Sequence, residues 1–173
     1  MIINASPLII FGKLNKIGIL IKIYKNIEIT HEVYNEVVIK GLEKNSKDAL
    51  IVKECIDNKD IKIFNLDEKS LNLASKIQNI YNLDLGEAET IALALQLKEK
   101  EIVIDEESAR EAAKAFGVKP IGSLRILLSA YKKGFLREDE VHSSISEMEK
   151  SKYRFSPQVL MEFWNLFRNI KRR

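Results

Sequence analysis

Cysteine is nearly absent from these 173 residues. The one thiol, Cys55, cannot form an internal bridge, and no CxxC pair exists to hold zinc. Two histidines, His31 and His142, are too few for a histidine-rich metal site. No apolar run reaches the roughly 20 residues that span a bilayer. The opening segment lacks a basic stretch and is interrupted by Asn4 and Pro7, so no signal peptide is expected and the protein is read as cytoplasmic. A GxxxxGK[ST] phosphate loop and a GxGxxG fingerprint are both missing, as is any Ser/His or Cys/His nucleophile pairing. Any bound metal must therefore be held by oxygen, which points to Mg²⁺ or Mn²⁺.

Hydrophobic and charged residues make up 46% and 31% of the chain, the composition of a globular domain rather than a disordered one. Net charge is +3, which permits nucleic-acid binding without demanding it. Five short apolar runs, residues 1–3, 27–30, 61–64, 101–104 and 118–121, read as strands. Longer helical patterns separate them, at 6–14, 16–24, 31–43, 48–57, 68–81, 87–100 and 106–116. Further helices are expected at 123–133, 138–150 and 156–170. Ser6 reads as an N-cap with Pro7 at the first helical position, and Thr30 as the cap of the 31–43 helix. Gly117 reads as a helix-ending glycine. Strands alternating with helices predict an α/β fold with a parallel sheet covered on both faces. No linker or repeat divides the chain, so 1–173 is expected to be a single domain, with 138–173 as a helical extension.

In such sheets ligands bind beyond the carboxyl ends of the strands. Asn4 follows the first strand, and Asp105, Glu106 and Glu107 follow the fourth. Glu36 lies in the first turns after the second strand. Glu87, with Glu89 behind it, opens the most apolar helix. Carboxylates crowded in one cleft repel each other unless a divalent cation joins them, and a cation so held can activate water against a phosphoryl group. Each residue also has a plainer role. Asn4 can make an Asx-turn, Asp84 and Glu87 a capping box, Asp105 an N-cap, and Glu36 an exposed helix position. Arg110 can reach a phosphate or pair with a site carboxylate or with Glu106. The basic end, Arg168, Lys171, Arg172 and Arg173, can touch phosphates or simply be solvated.

Three segments carry a resemblance. Residues 2–9 (IINASPLI) resemble the opening strand and turn of PIN-domain proteins. Residues 85–94 (LGEAETIALA) resemble their third-acid helix, and 103–110 (VIDEESAR) their fourth-acid segment. Residues 117–134, with Gly122-Ser123-Leu124, are similar to the end of the same domain. The closest resemblance is to a prokaryotic, largely archaeal branch predicted to bind nucleic acids and related to VapC toxins. It implies a three-layer α/β/α sandwich and a metal-dependent endoribonuclease acting on RNA. It further implies Mg²⁺ or Mn²⁺ held by Glu36, Glu87 and Asp105, with Glu106 as an alternative to Asp105 and Glu89 a weaker alternative to Glu87. Asn4 stands where the family has its first aspartate, and Ser6 where a hydroxyl accompanies it. A small antitoxin protein and a homodimer are the protein partners it suggests. Asn4 departs from the pattern, since an amide brings no charge, and it favours a rival reading as a non-catalytic RNA-binding or regulatory domain. A receiver-like phosphoacceptor domain is the other rival, but it needs paired acids after the first strand, where Asn4 stands alone.

Overall fold

A computed structural model describes residues 1–151 and 153–171. Its backbone falls into two compact units, one of residues 1–122 and one beginning at Ser123. The first unit is built on a five-stranded, wholly parallel sheet. Its strands are β1 (Ile2–Ile3), β2 (Ile27–Thr30), β3 (Ile61–Phe64), β4 (Glu101–Val103) and β5 (Lys119–Ile121). They lie in the order β3-β2-β1-β4-β5. The chain moves outward from β1 to β3, then crosses back to place β4 on the other side of β1. The strand order reverses between β1 and β4, and the crevice at that reversal is where α/β sheets bind ligands.

The central strands are Ile- and Val-rich and buried on both faces, as parallel strands covered by helices must be. Ile2, Ile102 and Ile104 pack with α6 (Glu68–Tyr81), α7 (Leu85–Gln96) and α8 (Glu107–Ala115). Ile3 and Val103, equally buried, alternate to the opposite face. The connections on the β1–β3 side are α1 (Ala5–Lys13), α2 (Ile17–Tyr24), α3 (His31–Tyr34), α4 (Lys40–Glu43) and α5 (Lys47–Asp57). The result is a three-layer α/β/α sandwich. Among the described residues, no helix is long and apolar enough to cross a membrane.

Three expected elements differ in ways that matter. The first helix begins two residues early: Asn4 occupies the N-cap position, Ala5 opens the helix, and Ser6-Pro7 lie inside its first turn. Pro7 is tolerated there because a first-turn N–H has no partner within the helix. The 31–43 helix is capped by Thr30 as expected, its hydroxyl accepting from the Val33 N–H at 3.2 Å. It is not α-helical throughout, because Asn35–Ile39 forms a wide π-helical turn between α3 and α4. Beyond it, Gly41 meets α5 so closely that a Cβ would lie 2.6 Å from that of Ala49, and only glycine fits. The third difference is α7, which begins at Leu85 rather than Glu87 and stops at Gln96, where Lys98 takes φ +56°. Gly117, at φ +76°, ends α8 as expected.

The second unit contains α9 (Ser123–Lys132), α10 (Glu138–Lys150) and α11 (Pro157–Lys171). Tyr131, His142, Phe163, Trp164 and Phe167 hold them together, with His142 stacked on Trp164 at a centroid distance of 4.6 Å and Tyr131 against Phe167 at 4.5 Å. Of the basic C-terminal residues, Arg168 turns back on its own helix, donating to Asn165 Oδ1 at 2.6 Å. Arg172, Arg173 and the side chain of Lys171 lie outside the described residues.

Candidate functional site

Asn4 leaves β1 at the reversal point, its N–H donating to the Val103 carbonyl of β4 at 2.9 Å. Its side chain is 4% exposed and makes no Asx-type cap. Instead it lies against the Thr90 hydroxyl, whose single hydrogen goes mainly to the Gly86 carbonyl at 2.7 Å and is shared more weakly with Asn4 Oδ1 at 3.3 Å. Thr90 thereby ties the end of β1 to the first turn of α7.

Gly86 forms the floor of the site. A Cβ there would lie 3.4 Å from Glu36 Oε2 and 3.8 Å from Asn4 Oδ1. The missing side chain leaves a small space between two oxygens that the sequence separates by 32 positions. Glu36 reaches it from the wide turn Asn35–Ile39, a kind of helix defect often found at functional sites.

Glu87 is nearly buried, and its Oε2 accepts from the Asp84 N–H at 3.1 Å. The capping role is thus present, yet it does not exhaust the side chain's environment. Burial pushes the Glu87 carboxyl above its ordinary range, the bond from Asp84 opposes this, and the charges of Asp84, Glu106 and Glu36 push it further up. Glu36 is likewise raised, first by burial, with Lys40 opposing and Asp84 and Glu32 adding to the rise. Four carboxylates, Glu36, Asp84, Glu87 and Glu106, therefore share one electrostatic neighbourhood.

Asp105 lies beside Gly122 and Arg110. A Cβ on Gly122 would lie 3.3 Å from Asp105 Oδ1 and 3.2 Å from Arg110 Nη1. Arg110 also donates to the Ile104 carbonyl at 3.1 Å, which holds its guanidinium against the end of β4. The N-cap of α8 is Glu106 rather than Asp105. Glu89 is buried in α7 two residues past Glu87 and hence on another face of the helix. Ser6 is exposed on the first turn of α1. Sequence reasoning gave Asp84 only a capping role and passed over Thr90 and Gly86. The signals were present, since Asp84 and Thr90 each lie three residues from Glu87 on the same helical turns.

The donors are all oxygens, the set preferred by hard cations such as Mg²⁺ and Mn²⁺. Among the described residues no group of three or more His, Cys, Asp or Glu side chains is arranged to hold a metal ion. Open acidic sites of this kind suit an ion that keeps part of its water shell and takes only one or two carboxylates directly. In donor chemistry, though not as an assembled set, the residues present fit such an ion.

The family model described as DUF3368, PIN domain, matches residues 1–169. No curated protein matches the chain. The parallel five-stranded sheet, the reversal at β1 and β4, and a family match over nearly the whole length agree. The chain belongs to the PIN-domain family, a nuclease fold.

Proposed function

We propose that this protein is a divalent-metal-dependent endoribonuclease that hydrolyses RNA phosphodiesters at the crevice between β1 and β4. The observation that carries this reading is the space over Gly86, bracketed by Asn4 Oδ1 and Glu36 Oε2 and bordered by the shared carboxylates. Glu36, Glu87 and one acid from the turn after β4 are the proposed Mg²⁺ or Mn²⁺ ligands. Of that turn, Glu106 is electrostatically coupled to Glu87, while Asp105 stands beside Arg110. When bound, the cation activates water and neutralises charge developing on the phosphoryl oxygens.

The chain's own residues have definite tasks in this scheme. Thr90, bonded to the Gly86 carbonyl, packs its hydroxyl against the Asn4 amide, whose oxygen borders the space. Asp84 N–H orients the Glu87 carboxylate. The N-terminus of α1 lacks a side-chain cap, so the first-turn N–H groups beside Ser6 remain for a phosphate, in the manner of helix N-termini generally. Arg110, held at the end of β4, is a second phosphate contact.

One feature favours a second reading. Asn4 contributes no charge, and a domain with three acids can retain RNA binding while cleaving weakly or not at all. The related biological setting we propose is a cytoplasmic toxin paired with a small antitoxin protein, with a homodimer as its working form. We also read 1–173 as one domain, supported by a family match that runs through both compact units.

The test is cleavage of end-labelled RNA across a Mg²⁺ and Mn²⁺ titration. Metal-dependent cleavage should fall by on the order of a hundredfold or more in Glu36→Gln and in Glu87→Gln, the loss expected for an electrostatic stabiliser. Comparing Glu106→Gln with Asp105→Asn decides which acid of the turn takes part. Cleavage that persists in EDTA, or at the parental rate without Glu36 and Glu87, defeats the metal reading. RNA binding without cleavage selects the non-catalytic one.

A further inference from the structure

The helical segment 31–44 presents Glu32, Glu36, Lys40 and Lys44, in that order, to one cleft. It starts at the carboxyl end of β2, and α1 starts at the carboxyl end of β1, so both helices run away from the edge that bears the acids. Lys13, in the last turn of α1, and Lys44, at the end of α4, therefore stand far from that edge.

A cleft of about 500 Å³ joins these positions, bounded by Glu36, Asp84 and Gly86 together with Lys13, Lys40 and Lys44. It opens directly onto the Gly86 space. Two further acids line it: Glu32 is paired with Lys40 at 3.5 Å, and Asp48 accepts from the Ser46 hydroxyl, a neutral donor that leaves its charge in place. Lys13 and Lys44 make no ion pair among the described residues. A lysine at a helix C-terminus is favourable for the helix dipole alone. That explains each lysine singly, but not why two helices bring theirs to the same cleft beside an acidic centre.

We propose that the lysine-lined half of this cleft is a phosphate subsite for single-stranded RNA, in which Lys13 and Lys44 take backbone phosphates on one side of the scissile bond. This rests on the ribonuclease reading above. The volume is that of a small-ligand site, enough for about a nucleotide or two and too little for a duplex. Lysines bind phosphates as flexible point charges, so the subsite positions a strand without reading its bases. The charge order gives the track a direction, from the acids that hold the cation to the lysines that hold the neighbouring strand.

The test is fluorescence anisotropy of a labelled short oligouridylate in EDTA over a range of salt, with cleavage kinetics in Mn²⁺ alongside. The variants are Lys13→Gln, Lys44→Gln and their combination, with Lys76→Gln on α6 as a control for unspecific charge loss. Each subsite variant should weaken binding several-fold and flatten the slope of log affinity against log salt by about 0.7, the value for one single-strand phosphate contact. KM should rise while kcat stays near parental. If the parent binds RNA and the subsite variants match it, or if Lys76→Gln loses as much, the subsite is wrong and the ribonuclease reading stands. If the parent binds but never cleaves, catalysis is lost and the salt slopes still judge the subsite. If the parent neither binds nor cleaves RNA, both fall.

Discussion

Asn4 borders the proposed metal site, its side chain 3.3 Å from the Thr90 hydroxyl. Asn4→Asp changes charge with almost no change of shape. Beside a bound cation the new charge gains Coulombic attraction, whereas beside Glu36 and the carboxylates around Glu87 alone it adds repulsion. Calorimetry should therefore find Asn4→Asp melting above the parent in Mn²⁺ and below it in EDTA, with nuclease activity raised. Equal lowering in both buffers, with unchanged activity, would reduce Asn4 to a structural tie between β1 and α7. Which acids matter was only partly legible at this scale. The strand-end rule pointed to Asn4, Glu36, Glu87 and the 105–106 pair as candidates, and the structure brings Asn4 and Glu36 to Gly86 and Glu106 into the field of Glu87. It could not choose between Asp105 and Glu106, because side-chain direction in a turn follows local backbone geometry and not a period. The separation appears only when Asp105 is found with Arg110 at Gly122 and Glu106 is found in the field of Glu87.

Helix α7 supplies the floor of the site, and its second residue is Gly86. Gly86→Ala places a methyl 3.4 Å from Glu36 Oε2, an ordinary contact that requires little adjustment. Alanine is the better helix former by up to about 1 kcal/mol, less in a first turn. The EDTA form should then melt slightly higher than the parent, while the rise on adding Mn²⁺ shrinks and cleavage falls. A variant that keeps the full metal response would show that no ion uses this space. The strands were readable because Ile and Val runs buried on both faces leave few alternatives. The start of α7 was not, because 82–86 contains Asn, Asp and Gly and reads as a break, although Asp84 opens the helix. The wide turn at Asn35–Ile39 was equally hidden: Val33, Val37 and Val38 point inward in an α-helix and in this structure alike.

For the whole molecule, an ion at the site must appear as stability. At a metal concentration a hundredfold above Kd the native state gains about 2.7 kcal/mol. The pH dependence has two opposite parts. Glu36 and Glu87 are raised above their ordinary values, chiefly by burial, so the native state holds their protons more tightly than the unfolded chain does. Their contribution is present below the normal carboxylate range and is lost as pH rises through the raised native values. Metal binding needs the ionised forms, so its increment grows over the same window. Melting curves in EDTA and in Mn²⁺ should diverge as pH increases from the acid side to neutrality; parallel curves would separate the metal from these two acids. The wide turn also links site and scaffold. A helix turns about 100° per residue, so one surplus residue sets the two halves of a rod in different frames. Here Glu36 must face Gly86 while Gly41 must face Ala49. Deleting any single residue of the turn leaves one of these two alignments unmet: either the carboxylate swings out of the crevice, or a side chain is driven into α5. Changes in chain length are therefore barred from 35–39.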